Sequence, residues 1–359
     1  MKVFTGKENI EPEYSIANLG TEENILFFDI ETTGLKKETS LTYLIGCGYF
    51  KNGVFNIIQW LTERAMDEEE VLQGFAEFAA GFDTLVHFNG DGFDIPFIAW
   101  KMDYYGIKFD FGRFRSIDIY KRTKPVKHLL NLESLSQKSI ENFLQIERDD
   151  LLNGGLLIPV YFDYERTGSY EAERLLLLHN YDDIQGMVKL LPVLSYSDLL
   201  EGRFTFTGCE EALGYLILNY ETDNAMPVSF EKAAEDHVIC GDGRYLQISI
   251  QIFEGTACHP IEDYRNYYYL PAEDKIIHKD VAEFIPRDRR EKATKKNCFI
   301  KKDSRFLFQP SELIEPVFYT DSKHCYFEPT ENIFGDIQMM NELGKKYVKC
   351  FAQKNKKEK

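Results

Sequence analysis

The sequence lacks a long apolar run, and no stretch approaches the roughly 20 consecutive apolar residues that a membrane-spanning helix needs. The N-terminal segment MKVFTGKENIEPEYS has neither an apolar stretch nor a small-residue cleavage site, so no signal peptide is expected. The seven cysteines are scattered and include no CxxC pair, which argues against a disulfide framework. We therefore expect a cytoplasmic protein that does not cross a membrane.

The sequence also lacks positive charge. Its formal net charge is −17, and residues 1–200 carry 19 Lys and Arg against 32 Asp and Glu. This balance excludes binding of a polyanion through bulk charge, but it leaves a local basic groove open. A metal site built from carboxylates would also make the net charge more negative.

The composition, 44% hydrophobic and 14% aromatic, is typical of a globular protein of one or two domains. We predict a polar N-terminal arm over residues 1–22, a first domain over 23–200 and a C-terminal α+β domain over 201–359. The first domain begins with strand-like segments and then alternates strands with helices, which indicates a mixed sheet flanked by helices.

Periodicity and turn residues predict the individual elements. ENILFFDI, LTYLIGCGYF, VFNIIQWL, TLVHFNG and SIDIY are predicted strands, with KNG at 51–53 as a hairpin turn. DEEEVLQGFAEFAAGF, DIPFIAWKMDYYG, LNLESLSQKSI and residues 170–194 are predicted helices, the last with an apolar face formed by Leu175, Leu178, Ile184, Val188 and Leu191. Beyond residue 203, FTGCEEALGYLILNY is a predicted helix, whereas RYLQISIQIF and RNYYYLP are predicted strands.

Two carboxylates interrupt the first apolar strand, LFFDIETTGL. Alternation places Asp29 and Glu31 on one face of the strand. Burying two like charges without a partner costs roughly several kcal/mol each, so a positive species is expected beside them.

Two further acidic positions lie at the ends or faces of predicted elements. Asp94, in HFNGDGFDIPF, begins a helix, and Asp183, in HNYDDIQG, lies on the long helix. Asp91 is interpreted as shaping the Asp-Gly turn, and Asp118 as capping a strand end. Four converging carboxylates require divalent cations that prefer oxygen ligands, of the Mg²⁺ or Mn²⁺ kind.

The motifs DIETTGL, NGDGFDIPF and HNYDD resemble, in order and rough separation, those of the DEDD (DnaQ-like) 3′–5′ exonucleases. The segment RDDLLNGGLLIPVYFDYERTG makes the sequence most similar to YprB-type ribonuclease-H-like proteins. The resemblance covers roughly residues 20–195. It implies a ribonuclease-H-like fold and metal-dependent hydrolysis of phosphodiester bonds, from a 3′ end of DNA or RNA.

The resemblance also implies roles for individual residues. Asp29, Glu31, Asp94 and Asp183 would be the ligands of two divalent cations, Mg²⁺ or Mn²⁺, with Asp29 shared between them and Asp94 acting through water. The turn after the strand would approach the terminal nucleotide, with a leucine against a base. Its residues are Thr32, Thr33, Gly34 and Leu35.

The family places either a histidine five residues before the last aspartate or a tyrosine four residues before it. Here His179 stands four residues before Asp183, and positions i and i+4 share a helix face. We therefore predict His179 as the catalytic base. Asp182 is a poorer candidate than Asp183 for the metal-ligand role. Tyr181 should point elsewhere.

Basic residues near this acidic centre are predicted to hold the substrate. Residues 111–128 carry six Lys and Arg against one acid, with aromatic residues interleaved. The predicted substrate contacts are Asn89, Arg113, Arg115, Lys121 and Arg122. A second basic run covers residues 287–305.

Two alternatives remain open at this point. A ribonuclease-H-like fold also hosts endonucleases, so the cut could be internal. The chain could instead be a catalytically inactive nucleic-acid-binding module, although the intact set of carboxylates argues against it. The sequence does not identify protein partners.

Overall fold

A computed structural model of the chain describes residues 1–146, 154–321 and 323–352. Contacts between Cα atoms divide it into two compact units. The first comprises Met1–Asp198 with Asn224–Val228, and the second comprises Leu199–Asp223 with the described residues from Ser229 onward. The division lies close to the predicted boundary at residue 200. Among the described residues, no helix combines the length and the apolar character needed to cross a membrane.

The first unit contains a six-stranded mixed sheet in the order β1-β4-β3-β2-β5-β6. Strands β5 and β6 run parallel to β2, whereas the other neighbours are antiparallel. Asn52 and Gly53 both have positive φ angles and form the tight turn predicted between β3 and β4. The strands are β1 (Lys2–Glu8), β2 (Ile25–Thr32), β3 (Thr42–Lys51), β4 (Val54–Leu61), β5 (Thr84–His87) and β6 (Arg115–Asp118).

Seven helices follow or flank these strands in the described part of residues 1–201. Three acids occupy the first turn of α1, where they complement the helix dipole, and Gly106 ends α2 at a φ of 74°. The helices are α1 (Glu68–Ala79), α2 (Asp94–Tyr105), α3 (Ile119–Thr123), α4 (Gln137–Phe143), α5 (Gly154–Thr167), α6 (Tyr170–Leu190) and α7 (Leu194–Glu201). The mixed sheet flanked by helices is confirmed. Part of the family-like segment RDDLLNGGLLIPVYFDYERTG lies outside the described residues.

Apolar side chains cover both faces of the sheet. On one face, Phe28 of β2 joins a buried cluster with Phe75 of α1 and Ile98 of α2. On the other face, Tyr43 and Leu176 belong to a cluster that joins β3 and β4 to α5 and α6. Because Phe28 faces the first cluster, the alternation of β2 turns Asp29 and Glu31 towards α6.

Four sequence-based predictions are wrong. LNLESLSQKSI is not helical throughout, because α4 begins only at Gln137, where the side chain of Ser136 caps it by accepting from the Ser139 N–H. The segment predicted as a polar arm instead begins with β1, which pairs with β4 from Lys2 to Glu8, and its polar edge character hid this pairing. Leu175 and Leu178 are exposed, because the buried face of α6 runs instead through Leu176, His179 and Asn180. FTGCEEALGYLILNY forms a hairpin rather than a helix, because its two halves pair with each other in an antiparallel ladder.

The second unit is a sheet domain with few helices. Its larger sheet has the order β13-β15-β14-β9-β8-β7, and β13 also pairs with β9, while β10, β11 and β12 form a small separate sheet. The strands are β7 (Phe204–Ala212), β8 (Tyr215–Ala233), β9 (His237–Pro260), β10 (Tyr267–Leu270), β11 (Lys275–His278), β12 (Glu291–Lys292), β13 (Phe299–Gln309), β14 (Phe318–Tyr319) and β15 (Cys325–Phe327). The helices are α8 (Lys279–Ala282), α9 (Glu331–Gly335) and α10 (Ile337–Ala352).

Candidate active site

Strand β2 presents the first two carboxylates. Asp29 lies opposite Gly46 of β3, and Glu31 lies opposite Leu44 of the same strand. The ladder is irregular between Glu31 and Thr32, so the strand ends in a bulge immediately after the second acid. Tyr43 donates a long hydrogen bond of 3.5 Å from its hydroxyl to Oε2 of Glu31.

Helix α6 brings His179 and Asp183 to the same place. Nε2 of His179 lies 3.3 Å from Oδ2 of Asp183 and 3.5 Å from Oε1 of Glu31. Each of the three side chains offers one possible metal-ligand atom, and these atoms lie within 4.8 Å of one another. The i, i+4 spacing therefore places His179 and Asp183 beside Glu31.

Asp94 is the first residue of α2 and is buried. Burial first, and then the negative charges of Asp94 and Glu31, hold the pKa of Asp29 well above its usual range. Burial raises the pKa of Glu31 to about 7, and Asp183 acts in the same direction. Burial also raises the pKa of Asp94 to about 7. The carboxylates thus repel one another in a poorly solvated place.

Such a cluster fits hard divalent cations. The donors are carboxylate oxygens with one imidazole, and oxygen donors suit Mg²⁺ and Mn²⁺. A cation among Asp29, Glu31, Asp94 and Asp183 would offset the repulsion that helps to raise the pKa values of Asp29 and Glu31. The donor set therefore fits the cofactor expected from the sequence.

Asn180 supports the site, although the sequence analysis did not single it out. Its Nδ2 donates to Oδ2 of Asp29 at 3.1 Å, and its Oδ1 accepts from Nε2 of Gln59 at 2.9 Å. A Cβ at Gly46 would lie only 1.9 Å from Oδ1 of Asn180, so the glycine is what leaves room for the amide. The one signal in the sequence was the position of Asn180, a polar residue directly after His179 on the predicted helix.

A cavity of about 530 Å³ opens beside these carboxylates. It combines acidic, amide and aromatic groups. The lining residues are Asp29, Ile30, Phe88, Asn89, Phe93, Asp94, Tyr120, Leu135 and Ser136. Asn89, predicted to contact substrate, thus lies at the same cavity as two of the predicted metal ligands.

A hydrogen-bond network around the buried His87 holds the loop that leads from β5 to Asp94. Nδ1 of His87 accepts from the Gly90 N–H at 3.0 Å, so the ring proton is on Nε2, which lies 2.8 Å from Oγ of Ser116. Ser116 in turn donates to Oδ1 of Asp91 at 2.6 Å, and Lys121 donates to Oδ2 of Asp91 at 2.8 Å. Asp91 therefore does more than shape its turn, because it anchors the loop to β6 and α3.

Asp118 has the capping role predicted for it. Its Oδ1 accepts from the Lys121 N–H at 3.2 Å and from the Asn89 N–H at 3.0 Å. Asn89 has a φ of 60°, a conformation that asparagine tolerates better than most residues. The cap thus fixes both the start of α3 and the turn that carries Asn89.

The turn after β2 is held by its own hydroxyls. Thr32 donates from Oγ1 to the Gly34 carbonyl at 2.9 Å, and Oγ1 of Thr33 accepts from the Leu41 N–H at 2.8 Å. A Cβ at Gly34 would lie 2.7 Å from Oγ of Ser40, so that glycine admits a neighbouring side chain of its own chain. Leu35 is 84% exposed at the tip of the turn, where a ligand can reach it.

The predicted basic contacts differ in their surroundings. Arg113 donates to the carbonyls of Ala80 and Phe82, and Arg115 donates to the carbonyl of Leu19, which favours structural roles for both. Lys121 is engaged with Asp91. Arg122 is partly exposed and immediately follows Lys121 on α3.

Tyr181 points away from the site, as predicted. Its hydroxyl donates to Oε1 of Glu8 at 2.8 Å. Its ring covers Gly6 of β1, where a Cβ would come within 2.6 Å of the ring. Tyr181 therefore fixes α6 against the edge of the sheet rather than entering the cavity.

Comparison with known proteins agrees with the fold. Residues 26–195 match the family profile RNase_H_2, described as the RNase_H superfamily, over a little under half of the chain. The matched segment contains all four carboxylates and His179. No curated protein matches the sequence.

Solved structures give more distant similarities. The family B DNA polymerase from the hyperthermophilic archaeon Pyrobaculum calidifontis is 12% identical, with a TM-score of 0.42 over 91% of this chain and 46% of the polymerase chain. The zinc-ion-bound form of an E. coli ExoI–ssDNA complex is 11% identical, with a TM-score of 0.27 over 61% of this chain and 54% of the other. An ExoI/SSB-Ct complex is 10% identical, with a TM-score of 0.30 over 93% of this chain and 75% of the other.

The chain thus spans about half the length of the polymerase and ExoI–ssDNA chains that it matches. The mixed sheet with helices on both faces and the profile match lead to the same assignment. The first unit has a ribonuclease-H-like fold, and residues 26–195 of this chain match the RNase H superfamily.

Proposed function

We propose that this protein is a nuclease that hydrolyses phosphodiester bonds of DNA or RNA from a 3′ end. One observation carries the proposal. The charges of Asp94 and Asp183 lie close enough to Asp29 and Glu31 to help raise the pKa values of both, and His179 lies within 3.5 Å of Glu31 and Asp183. Without a cationic ligand, this cluster would only destabilise the fold.

The roles follow from the chemistry of each group. Asp29, Glu31, Asp94 and Asp183 hold two divalent cations, Mg²⁺ or Mn²⁺. Bound in such a carboxylate site, two cations supply activation of a water molecule and stabilisation of the leaving oxygen. His179 accepts a proton at Nε2 from the attacking water, a task suited to imidazole at neutral pH.

Substrate would occupy the cavity beside the carboxylates. Phe88 and Tyr120 contact each other edge to face there, with ring centroids 6.1 Å apart, and offer apolar surface to a base. Asn89 supplies an amide at the same wall, and the exposed Leu35 contacts the terminal nucleotide from the turn. Among the predicted basic contacts, Arg122 has a partly exposed side chain that forms no ion pair with a residue in the described part of the chain.

The seven cysteines are unpaired, which agrees with the reducing cytoplasm in which we place the protein. This assignment rests on the thiols and on the absence of a disulfide framework. It is independent of the catalytic proposal.

The test uses 5′-labelled single strands of DNA and RNA with free or blocked 3′ ends, incubated with the full chain and Mn²⁺. We expect progressive shortening of free 3′ ends and none in the Asp29→Ala variant. Asp103→Ala, an exposed acid on α2, is the matched control and should keep full activity.

Three results would contradict the proposal. Cleavage of blocked ends as fast as free ends would indicate an endonuclease. Full activity of Asp29→Ala, or no hydrolysis of any nucleic acid by the wild type, would remove the catalytic assignment.

A further inference from the structure

The most basic part of this acidic chain belongs to the second unit. Residues 287–305 carry nine Lys and Arg against three Asp and Glu, in a protein with a net charge of −17. They include β12, which pairs with β10 of the small sheet, and the loop that leads from β12 to β13. Most of these basic side chains are exposed.

Several of these cations are neutralised and others are not. Lys301 is paired with Asp274, Lys302 with Glu328, and Arg305 with Glu211 and Glu254. Five other exposed cations form no ion pair with any residue that the structure describes. We call these five residues, Arg287, Arg289, Lys292, Lys295 and Lys296, the basic loop.

Aromatic groups flank the basic loop. The guanidinium of Arg290 lies 4.8 Å from the ring centroid of Tyr268, the residue that pairs with Lys292 in the β10–β12 ladder. Arg290 also donates to the carbonyl of Ala282, which ties the loop to α8. Phe284, two residues beyond Ala282, is 87% exposed. An exposed aromatic ring beside unneutralised cations is the combination that single-stranded nucleic acid requires.

We propose that the basic loop, together with Phe284, is an accessory binding surface for single-stranded nucleic acid. The cations contact backbone phosphates, and Phe284 stacks on a base. This inference rests on the proposed function, because it assumes that the substrate is nucleic acid. Its role is to retain long strands, since the acidic first unit supplies little charge attraction of its own.

The spacing of the five cations and the exposed ring of Phe284 favour nucleic acid over an acidic protein as the partner. Five unpaired cations within ten residues suit a chain with one phosphate per nucleotide, and an exposed phenylalanine adds a stacking surface that carboxylate side chains do not use. An acidic polypeptide therefore becomes the competing outcome in the test.

The experiment measures the affinity of the full chain for fluorescein-labelled single strands of about 6 and about 30 nucleotides by anisotropy at several salt concentrations. EDTA prevents hydrolysis and leaves the carboxylates of the first unit repulsive. The test variant is Lys292→Ala/Lys295→Ala/Lys296→Ala. The control is Lys7→Ala/Lys51→Ala/Lys108→Ala, which removes the same charge at exposed lysines of the first unit that form no ion pair with a residue the structure describes.

We expect the test variant to bind the long strand about tenfold more weakly, with a salt dependence reduced by about 2 in slope, since each single-strand phosphate contact contributes about 0.7. The control should match the wild type. Phe284→Ala should weaken binding without changing the salt slope. With Mn²⁺, the test variant should degrade the short strand normally and the long strand more slowly.

Equal affinities of the two triple variants for the long strand would overturn the inference, because any loss of affinity would then follow from net charge alone. Binding of poly-glutamate through the basic loop, with no binding of any nucleic acid, would also overturn it and indicate an acidic protein partner. Failure of the proposed catalysis would give a different result. In that case the wild type hydrolyses nothing, while the difference between the triple variants in EDTA persists.

Discussion

The side-chain amide of Asn180 donates to the carboxylate of Asp29 at 3.1 Å, and Asn180 is itself held by Gln59. This bond lowers the pKa of Asp29, whereas burial and three neighbouring negative charges raise it. A residue outside the proposed ligand set therefore helps to keep the carboxylate of Asp29 charged. In the proposed metal site, Asn180 would also fix the orientation of that carboxylate towards a cation.

Asn180→Ala should weaken metal binding and slow hydrolysis by about 10- to 100-fold, the usual cost of losing a hydrogen bond to a ligand. Isothermal titration with Mn²⁺ and a hydrolysis assay measure the two effects. Gly46→Ala should act in the same direction, because its Cβ would displace the Asn180 amide. Gly53→Ala, at a glycine whose Cβ would meet no atom, is the control and should lower stability alone, owing to its φ of 73°. Unchanged affinity in both Asn180→Ala and Gly46→Ala would contradict a supporting role.

His179→Gln should reduce kcat by about 10²- to 10⁴-fold, the range typical of general acid–base catalysis, with a smaller change in KM. The acid limb of the pH–rate profile should flatten in this variant, which a merely structural role would not produce. Tyr181→Phe, on the same helix, removes a hydroxyl bound to Glu8 outside the cavity and should keep kcat near the wild-type value. If both variants lost activity equally, the role assigned to His179 would fail.

The metal-free protein should become less stable as the pH rises. The pKa values of Glu31 and Asp94 are raised to about 7, well above those of the unfolded chain, so the folded state binds more protons between about pH 4.5 and 7. The free energy of unfolding therefore falls as the pH rises through this window.

Thermal unfolding in EDTA at pH 5 and pH 8 measures this fall. Asp94→Asn cannot ionise at position 94, so its melting temperature should differ less between the two pH values than that of the wild type. Millimolar Mn²⁺ should restore the melting temperature of the wild type at pH 8. An identical pH dependence in the wild type and Asp94→Asn would show that Asp94 is not responsible.

Ser116→Ala should loosen the loop that carries Asn89 and Asp94. It removes the hydroxyl that joins His87 to Asp91, and it leaves the His87 Nε2–H with only the longer approach of 3.5 Å to Oδ1 of Asp91. Hydrogen exchange of residues 88–93 should accelerate, and KM should rise more than kcat falls. Ser139→Ala, a serine on α4 outside this network, serves as the comparison. Unaltered exchange in Ser116→Ala would mean that the loop is held by the Asp118 cap alone.

Leu213 offers a stabilising substitution. It is 98% exposed at the β7–β8 turn with a φ of 52°, a conformation that asparagine adopts more easily than leucine. Leu213→Asn should raise the free energy of unfolding by about 0.5–1 kcal/mol. Asn52→Leu, the reverse change at a φ of 53° in the β3–β4 turn, should lower it by a similar amount. Chemical denaturation tests both, and a shift of the same sign in the two variants would refute the backbone explanation.

The sequence predicted the features that depend on local order. The alternation of β2 placed Asp29 and Glu31 on one face, and the i, i+4 relation placed His179 beside Asp183. Other features depend on residues far apart in the chain. Asn180 acquires its role through Gln59 and Asp29, and no local pattern marks such a partnership.

The hairpin of β7 and β8 shows how pairing between strands can override the local preference of a segment. Leucine, alanine and glutamate favour helix, and they dominate the segment. Pairing of its two halves overrides that preference, and the single local signal was Gly214, whose φ is 82°. The first strand was missed for a related reason, because an edge strand with polar residues has no distinctive hydrophobic period.

The contact between Tyr181 and Gly6 has a consequence for how this sequence can diverge. The ring occupies the space that any side chain at position 6 would need. A larger residue at position 6 would lift the helix that carries His179 and Asp183, unless position 181 became smaller at the same time. Positions 6 and 181 should therefore covary among homologues, which makes an inconspicuous edge glycine a marker for the geometry of the helix that carries the proposed catalytic residues.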